Sequence, residues 1–359
     1  MSDSTDSADD DGAAAAARGW LAGVAPQAGI GACFLATVLG GMALADEVAA
    51  ADLALFADPG QVGNVGVFAV YVLVGTAGML LAFRYDLGEV LLRSFLVVVF
   101  AAMAADAVLL SAGAADAIAG DAVFGGLPTA PTGVALAAGV AAVLWVHPEW
   151  YVIDVVGVLA GAAIVPMLGL GFGPLPVVVL LVVWAAYDAY AVYGLGHMKE
   201  LAAGGIGLQV PIMFVVPTER GGSFLDADPG ALTDGGDAGG DDSSEAETMD
   251  VDDGSESGGK RDGSAVTLLG LGDAVIPGML AVSAGQFLPA PAVVPVLNAN
   301  LPALGALAGG VVGLVALNYV LARFEGAHAG LPPLNAGVLA GYLVGTVAAG
   351  LPVTAALGL

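Results

Sequence analysis

The chain has 359 residues, of which 58% are hydrophobic and only 12% charged, and its mean hydropathy is +0.89. Its 34 acidic and 8 basic residues leave a net charge of −26, which argues against nucleic-acid binding, since that needs a basic surface. Strictly alternating apolar patterns are nearly absent, which argues against an outer-membrane barrel, and the single cysteine, Cys33, leaves no intrachain disulfide to form.

Residues 1–26 are acidic and polar, then Ala-rich, and read as a disordered N-terminus without the basic leader of a cleaved signal peptide. The first apolar segment is therefore expected to stay as an anchor. Apolar runs near 20 residues then recur, the pattern of a polytopic helical membrane protein. We read nine spans: 27–46, 62–83, 89–112, 132–146, 151–170 and 174–195 before a long hydrophilic insertion, and 266–284, 303–323 and 333–356 after it. The acids concentrate in the termini and loops. This distribution is typical of proteins from salt-loving organisms, where a screening length of roughly 3 Å at 1 M salt suppresses self-repulsion.

The eight basic residues orient the chain. With the N-terminus inside, Arg18, Arg84, Arg93, Lys199, Arg220, Lys260, Arg261 and Arg323 all fall on the inner side, and the outer loops 47–61, 113–131 and 285–302 hold no Lys or Arg. The fold expected is all-α: nine transmembrane helices, N-terminus cytoplasmic, C-terminus outside, multi-pass in the cell membrane. Residues 196–265 form the cytoplasmic insertion. Within it, 208–217 is apolar and β-prone, while 221–263 is rich in Gly, Asp, Ser and Glu and cannot bury enough apolar surface to fold.

Two acids stand inside apolar runs. Asp188 lies in Val182-Val183-Trp184-Ala185-Ala186-Tyr187-Asp188-Ala189-Tyr190, and Asp273 in Leu268-Leu269-Gly270-Leu271-Gly272-Asp273-Ala274-Val275-Ile276-Pro277-Gly278. A carboxylate at membrane depth is costly and is a functional candidate by default. Each lies seven residues from the inner end of its span, which puts both roughly 10 Å below the cytoplasmic boundary. Sequential antiparallel spans can bring them together. Two carboxyls in contact do not both ionise easily and share a proton, so one can activate water while the other polarises a carbonyl. Gly270 and Gly272 remove Cβ bulk and let a helix or a substrate backbone approach Asp273.

Tyr187-Asp188 and Gly270-Leu271-Gly272-Asp273 resemble the YD and GxGD motifs of the presenilin and signal peptide peptidase family of intramembrane aspartyl proteases, in an archaeal-like form. The run Gly272-Asp273-Ala274-Val275-Ile276-Pro277-Gly278 is most similar to the signal peptide peptidase branch. The nine-span plan, with a long loop between the two acid helices, fits as well. The resemblance implies that Asp188 and Asp273 cleave peptide bonds within transmembrane segments, with water as nucleophile and no cofactor or metal. It implies single-span or signal-peptide-like substrates in the lipid bilayer and no accessory subunit. The family's third motif is Pro-Ala-Leu at the cytoplasmic start of the last span. Leu301-Pro302-Ala303-Leu304 matches it literally but falls on the outer side. Leu331-Pro332-Pro333-Leu334 falls on the inner side, departs from the motif only at Pro333, and is assigned the role. Two prolines at a helix start are tolerated, because the first N–H groups need no intrahelical acceptor. The counterparts of the 208–217 stretch add a strand to an unwound substrate, a β-augmentation.

Other residues read as ordinary. Tyr187 is expected to pack or hydrogen-bond beside the acid pair. Asp106 and Asp154, near span ends, are expected to be solvated, and Cys33 to be inert packing. His147, His197 and His328 lack metal-ligand spacing. Two alternatives share the acid pair: a prepilin or preflagellin-type GxGD peptidase, and a proton-coupled transporter, for which no inverted repeat is found.

Overall fold

The computed structural model of the chain describes residues 6–84, 88–119, 129–195, 210–217, 266–323 and 329–358. The acidic stretch 221–263 and the basic residues Lys199, Arg220, Lys260 and Arg261 lie outside the described residues. Among the described residues ten α-helices follow in order: α1 (Asp6–Ala43), α2 (Ala45–Ala50), α3 (Gly63–Arg84), α4 (Gly88–Ala119), α5 (Thr129–Val146), α6 (Trp150–Gly171), α7 (Pro174–Tyr190), α8 (Leu271–Phe287), α9 (Leu301–Arg323) and α10 (Leu331–Ala348). Four short strands lie among these described elements: β1 (Met213–Pro217), β2 (Val266–Gly270), β3 (Ala292–Val294) and β4 (Ala299–Asn300).

Among the described residues six helices are long and apolar enough to cross a membrane, at Ala25–Ala43, Val90–Gly113, Trp150–Gly171, Pro174–Tyr193, Leu301–Val320 and Leu331–Ala348. Gly63–Met79 and Pro131–Val146 are shorter apolar helices. Every expected span overlaps a helix; α4 runs on to Ala119, past the expected end at 112, and three further differences in extent stand out. The helix α1 begins at Asp6, so residues 6–26 are helical where disorder was expected; the run Ala13–Ala17 has the highest intrinsic helix propensity. The last helix stops at Ala348 rather than 356. Gly350 adopts a left-handed conformation (φ 74°) and the Leu351 amide returns to the Thr346 carbonyl at 3.1 Å, a glycine-terminated helix end followed by Pro352. The third difference lies at the seventh span: residues 266–270 form a strand, and α8 starts only at Leu271.

The buried core lies where α1, α6 and α8 meet, around Phe34, Val38, Val165, Met279 and Leu280. Of the apolar span of α6, 67% is buried, the largest share of the six. Outward from this core, Tyr71, Leu73 and Val74 of α3, Leu91 and Phe95 of α4, Val134 of α5, Val312 and Val315 of α9, and Val344 and Val347 of α10 are all exposed. A water-soluble surface rarely carries so continuous an apolar belt, and helices satisfy their backbone internally in lipid.

Helices α9 and α10 form the tightest pair. Gly305, Gly309 and Gly313 face Gly337, Gly341 and Gly345, and a Cβ at Gly309 or Gly341 would collide with the opposing backbone. Close approach through small residues is how helices associate where the hydrophobic effect gives no drive between them. The Tyr342 hydroxyl donates to the Ala356 carbonyl at 2.6 Å and braces the end of the hairpin.

Candidate active site

The acid Asp188 occupies the last turn of α7, which continues into a π-helical turn, Ala191–Leu195. Its Oδ2 accepts the backbone N–H of Leu331 at 3.0 Å. This amide is available because Leu331 is the first residue of α10, with Pro332 following it, and the first N–H groups of a helix have no intrahelical acceptor. One turn further along α10, the buried Asn335 donates from Nδ2 to the Leu181 carbonyl of α7 at 2.9 Å. Two polar contacts therefore clamp the start of α10 along α7. Asn335 did not stand out in the sequence; only its place one turn after the Pro-Pro pair could have drawn attention.

The other acid, Asp273, is the third residue of α8. The Gly270 amide hydrogen-bonds its carboxylate, and the charge of Asp188 reaches it. An acid at the third helical position bonding back to the N-cap amide is one half of a capping box. Both carboxyls thus sit at helix N-termini, Asp273 at its own and Asp188 at that of α10. The expectation that each acid lies seven residues within a continuous helix does not hold for Asp273. Residues 266–270 are extended, and the acid stands in the first turn instead. Both acids are half-buried.

At Gly270 a Cβ would come within 3.1 Å of Asp273 Oδ2, so the carboxylate would have to shift by a few tenths of an ångström to admit it. At Gly272, by contrast, a Cβ would meet nothing within 4 Å. Leu271 is buried between these glycines and its amide donates to the Ile212 carbonyl at 2.9 Å.

The strand β2 pairs antiparallel with β1, with Met213 opposite Gly270, Val215 opposite Leu268 and Pro217 opposite Val266. The β-prone stretch expected at 208–217 is thus a strand over its last five residues, and its partner leads directly into the GxGD turn. Residues 208 and 209 lie outside the described residues.

The remaining candidates divide. Leu331 and Leu334 are buried and Pro332 and Pro333 half-buried, with the Leu331 amide on Asp188. The literal match at Leu301–Leu304 lies at the other end of the hairpin, where the Leu301 and Pro302 backbone packs on Gly345. Tyr187 is 62% exposed and projects from α7 rather than packing into the site; consecutive residues on a helix face different directions, so Asp188 and its neighbour cannot both turn inward. Asp106 is exposed on α4. Asp154 departs from expectation: it is only 7% exposed, its Oδ1 accepts the Val215 amide at 2.7 Å, and the Cys33 thiol lies 4.0 Å from its Oδ2. Its partner is a backbone N–H, which explains why a buried acid here is tolerated. Among the described residues no three His, Cys, Asp or Glu side chains cluster as metal ligands would.

Comparison with known proteins bears on this geometry. The family profile described as signal-peptide peptidase, presenilin aspartyl protease matches residues 31–351. Among solved structures, a presenilin family intramembrane aspartate protease in a C222 crystal form is similar with a TM-score of 0.57 and 27% identity, over 90% of this chain and 99% of that one. The structure of a presenilin family intramembrane aspartate protease in a P2 crystal form gives a TM-score of 0.55 and 26% identity, over 89% and 97%. A search of curated proteins returned no match. The chain is a multi-pass membrane protein and an aspartic endopeptidase of the intramembrane kind, and it belongs to the signal-peptide peptidase and presenilin aspartyl protease family.

Proposed function

We propose that Asp188 and Asp273 are the catalytic pair, and that they hydrolyse peptide bonds within the membrane spans of single-span or signal-peptide-like substrates. One carboxylate takes a proton from water as its oxygen attacks the scissile carbonyl carbon. The other, protonated, donates to the carbonyl oxygen, giving a tetrahedral diol. Collapse of the diol breaks the C–N bond as a proton passes to the amine. The observation that carries this reading is the packing of α7, α8 and α10, with the Asp188 carboxylate on the Leu331 amide at the start of α10 and Asp273 in the first turn of α8.

The substrate must be unwound, because a helix hides its peptide bonds. A two-stranded sheet that runs straight into Asp273 offers an extended chain main-chain partners without demanding a fixed sequence. Leu331-Pro332-Pro333-Leu334 is the third part of the site, its amide holding the Asp188 carboxylate.

The charge distribution supports nine spans with the N-terminus cytoplasmic and the C-terminus outside. In that orientation the pair accepts substrates whose N-terminus lies outside and C-terminus inside. The test is a panel of matched single-span peptides reconstituted with the protein in sealed vesicles in both orientations. Cutting confined to substrates with an outer N-terminus is the expected result. Preferential cutting of the opposite orientation would overturn the topology, and no cutting of any would overturn the assignment of the pair.

A further inference from the structure

Two strands leave two outer edges, and a substrate strand needs one of them. The ladder identifies which backbone groups face out. Leu271 donates to Ile212, so in the register that pairs Phe214 with Leu269 and Val216 with Thr267 those residues exchange the ladder bonds. In an antiparallel pair, bonded and non-bonded positions alternate. Val215 and Leu268 therefore turn their N–H and C=O groups away from each other, to the outer edges of β1 and β2.

The β1 edge is closed. The outward N–H of Val215 is taken by Asp154 Oδ1 at 2.7 Å, from a helix, α6, that packs along this strand. Ile153, the neighbour of Asp154, clusters with Val215 and Val266, and Phe214 lies against Gly157 one turn on. The β2 edge is different. Of its outward positions, Gly270 gives its N–H to Asp273 and Val266 has an interaction of its own; Leu268, between them and five positions before Asp273, is the position whose outward groups bond to nothing among the described residues. A buried carboxylate is a costly way to fill this position on α6, where an apolar side chain would pack at less cost. What an apolar residue could not do is bind the outward N–H of Val215, at the centre of β1.

Resting on the protease reading above, we propose that Asp154 is a positioning residue for intramembrane hydrolysis: it seals the outer edge of β1 and fixes the sheet on α6, so that a substrate strand pairs only along β2 and presents one bond to Asp188 and Asp273. Asp154 touches neither substrate nor the reacting atoms. It acts through β1, and its loss alters where the chain is cut rather than whether it is cut.

The experiment maps cleavage products of a single-span peptide by mass spectrometry, with KM and kcat for each variant. Asp154→Asn keeps the Oδ1 acceptor and is expected to retain the wild-type cleavage position. Asp154→Leu fills the same space without an acceptor. It is expected to spread cleavage over neighbouring bonds and to raise KM, with a smaller change in kcat, because the strand that aligns the substrate is no longer fixed on α6. Val215→Pro breaks the same bond from the donor side. Because that N–H lies outside the ladder, proline is compatible with the strand there, and this variant carries the test where Asp154→Leu does not fold. It is expected to reproduce the spread products. A single unshifted product with unchanged KM in either folded variant overturns the proposal. So does a fall in kcat alone with the product pattern intact, the result of a merely structural role. A wild-type protein that cuts nothing is a separate failure, that of the protease reading itself.

Discussion

The backbone amide of Leu331 donates to the Asp188 carboxylate at 3.0 Å, across 143 residues of sequence. One acid of the pair is thereby held by the first turn of the last long helix. Pro332 and Pro333 keep that amide available, because a helix cannot be extended backwards through them without losing N–H donors. Replacing both with Ala lets the helix lengthen inward and turns the Leu331 amide to an intrahelical carbonyl. The double variant is expected to lose at least about tenfold in kcat/KM, the equivalent of one charge-assisted hydrogen bond. Pro302→Ala, at the opposite end of the α9–α10 hairpin, is expected to cut at the wild-type rate. Assay of both variants on one substrate settles which proline segment serves the site.

The glycine contact between α9 and α10 carries the Leu331 end to Asp188. At Gly309 a Cβ would collide with the Gly337 carbonyl oxygen, and the opposing atom is backbone that cannot swing aside. Gly309→Ala is expected to destabilise the protein by about 1–3 kcal/mol, the usual effect of overpacking. Gly272→Ala, where the added methyl meets nothing, is expected to melt with the wild type. Thermal unfolding of the two variants in the same detergent checks the contrast.

The proposed mechanism needs one ionised and one protonated carboxyl at the same time. The kcat/KM of the wild-type protein is therefore expected to be bell-shaped against pH. It falls on the acid side when both carboxyls are protonated and no base remains, and on the alkaline side when both are ionised and no acid remains. A profile with a single limb would show that only one of the two is essential.

The orientation is testable independently of activity. Cys33 is the only cysteine, so a Cys33→Ser background carries single introduced cysteines cleanly. Cysteines placed in 113–131 are expected to react with an impermeant reagent from outside, and cysteines placed in 221–258 only after the cells are opened. The reverse pattern would invert the topology and with it the substrate direction.

Much of this architecture is legible in the chain itself, for identifiable reasons. A run of 20 apolar residues has few alternatives to a membrane helix, and an acid within such a run stands out against it; hence α6, α7, α9, Asp188 and Asp273. The Pro-Pro pair at 332–333 marks a helix start wherever it lies, and the distribution of Arg and Lys separates it from Leu301–Leu304. What the chain conceals is pairing at long range. Val266-Thr267-Leu268-Leu269-Gly270 is a short apolar run that periodicity cannot assign to helix or strand, and its partner, Met213–Pro217, lies beyond a long acidic insertion. Asp154 is misread for the same reason. Its partner is the Val215 amide, 61 residues away, and a backbone N–H leaves no mark on the sequence. Tyr187 follows the opposite pattern: it adjoins Asp188 in sequence but is 62% exposed, since consecutive residues on a helix point in different directions.

The central claim is that Asp188 and Asp273 act as one pair, and the most direct measurement is cleavage of a single-span peptide by purified protein in detergent, comparing wild type with Asp188→Asn and Asp273→Asn. Each single variant is expected to fold and melt with the wild type and to lose at least about 100-fold in kcat, since neither carboxyl can serve as both acid and base. Near-normal turnover in either folded variant would contradict the account.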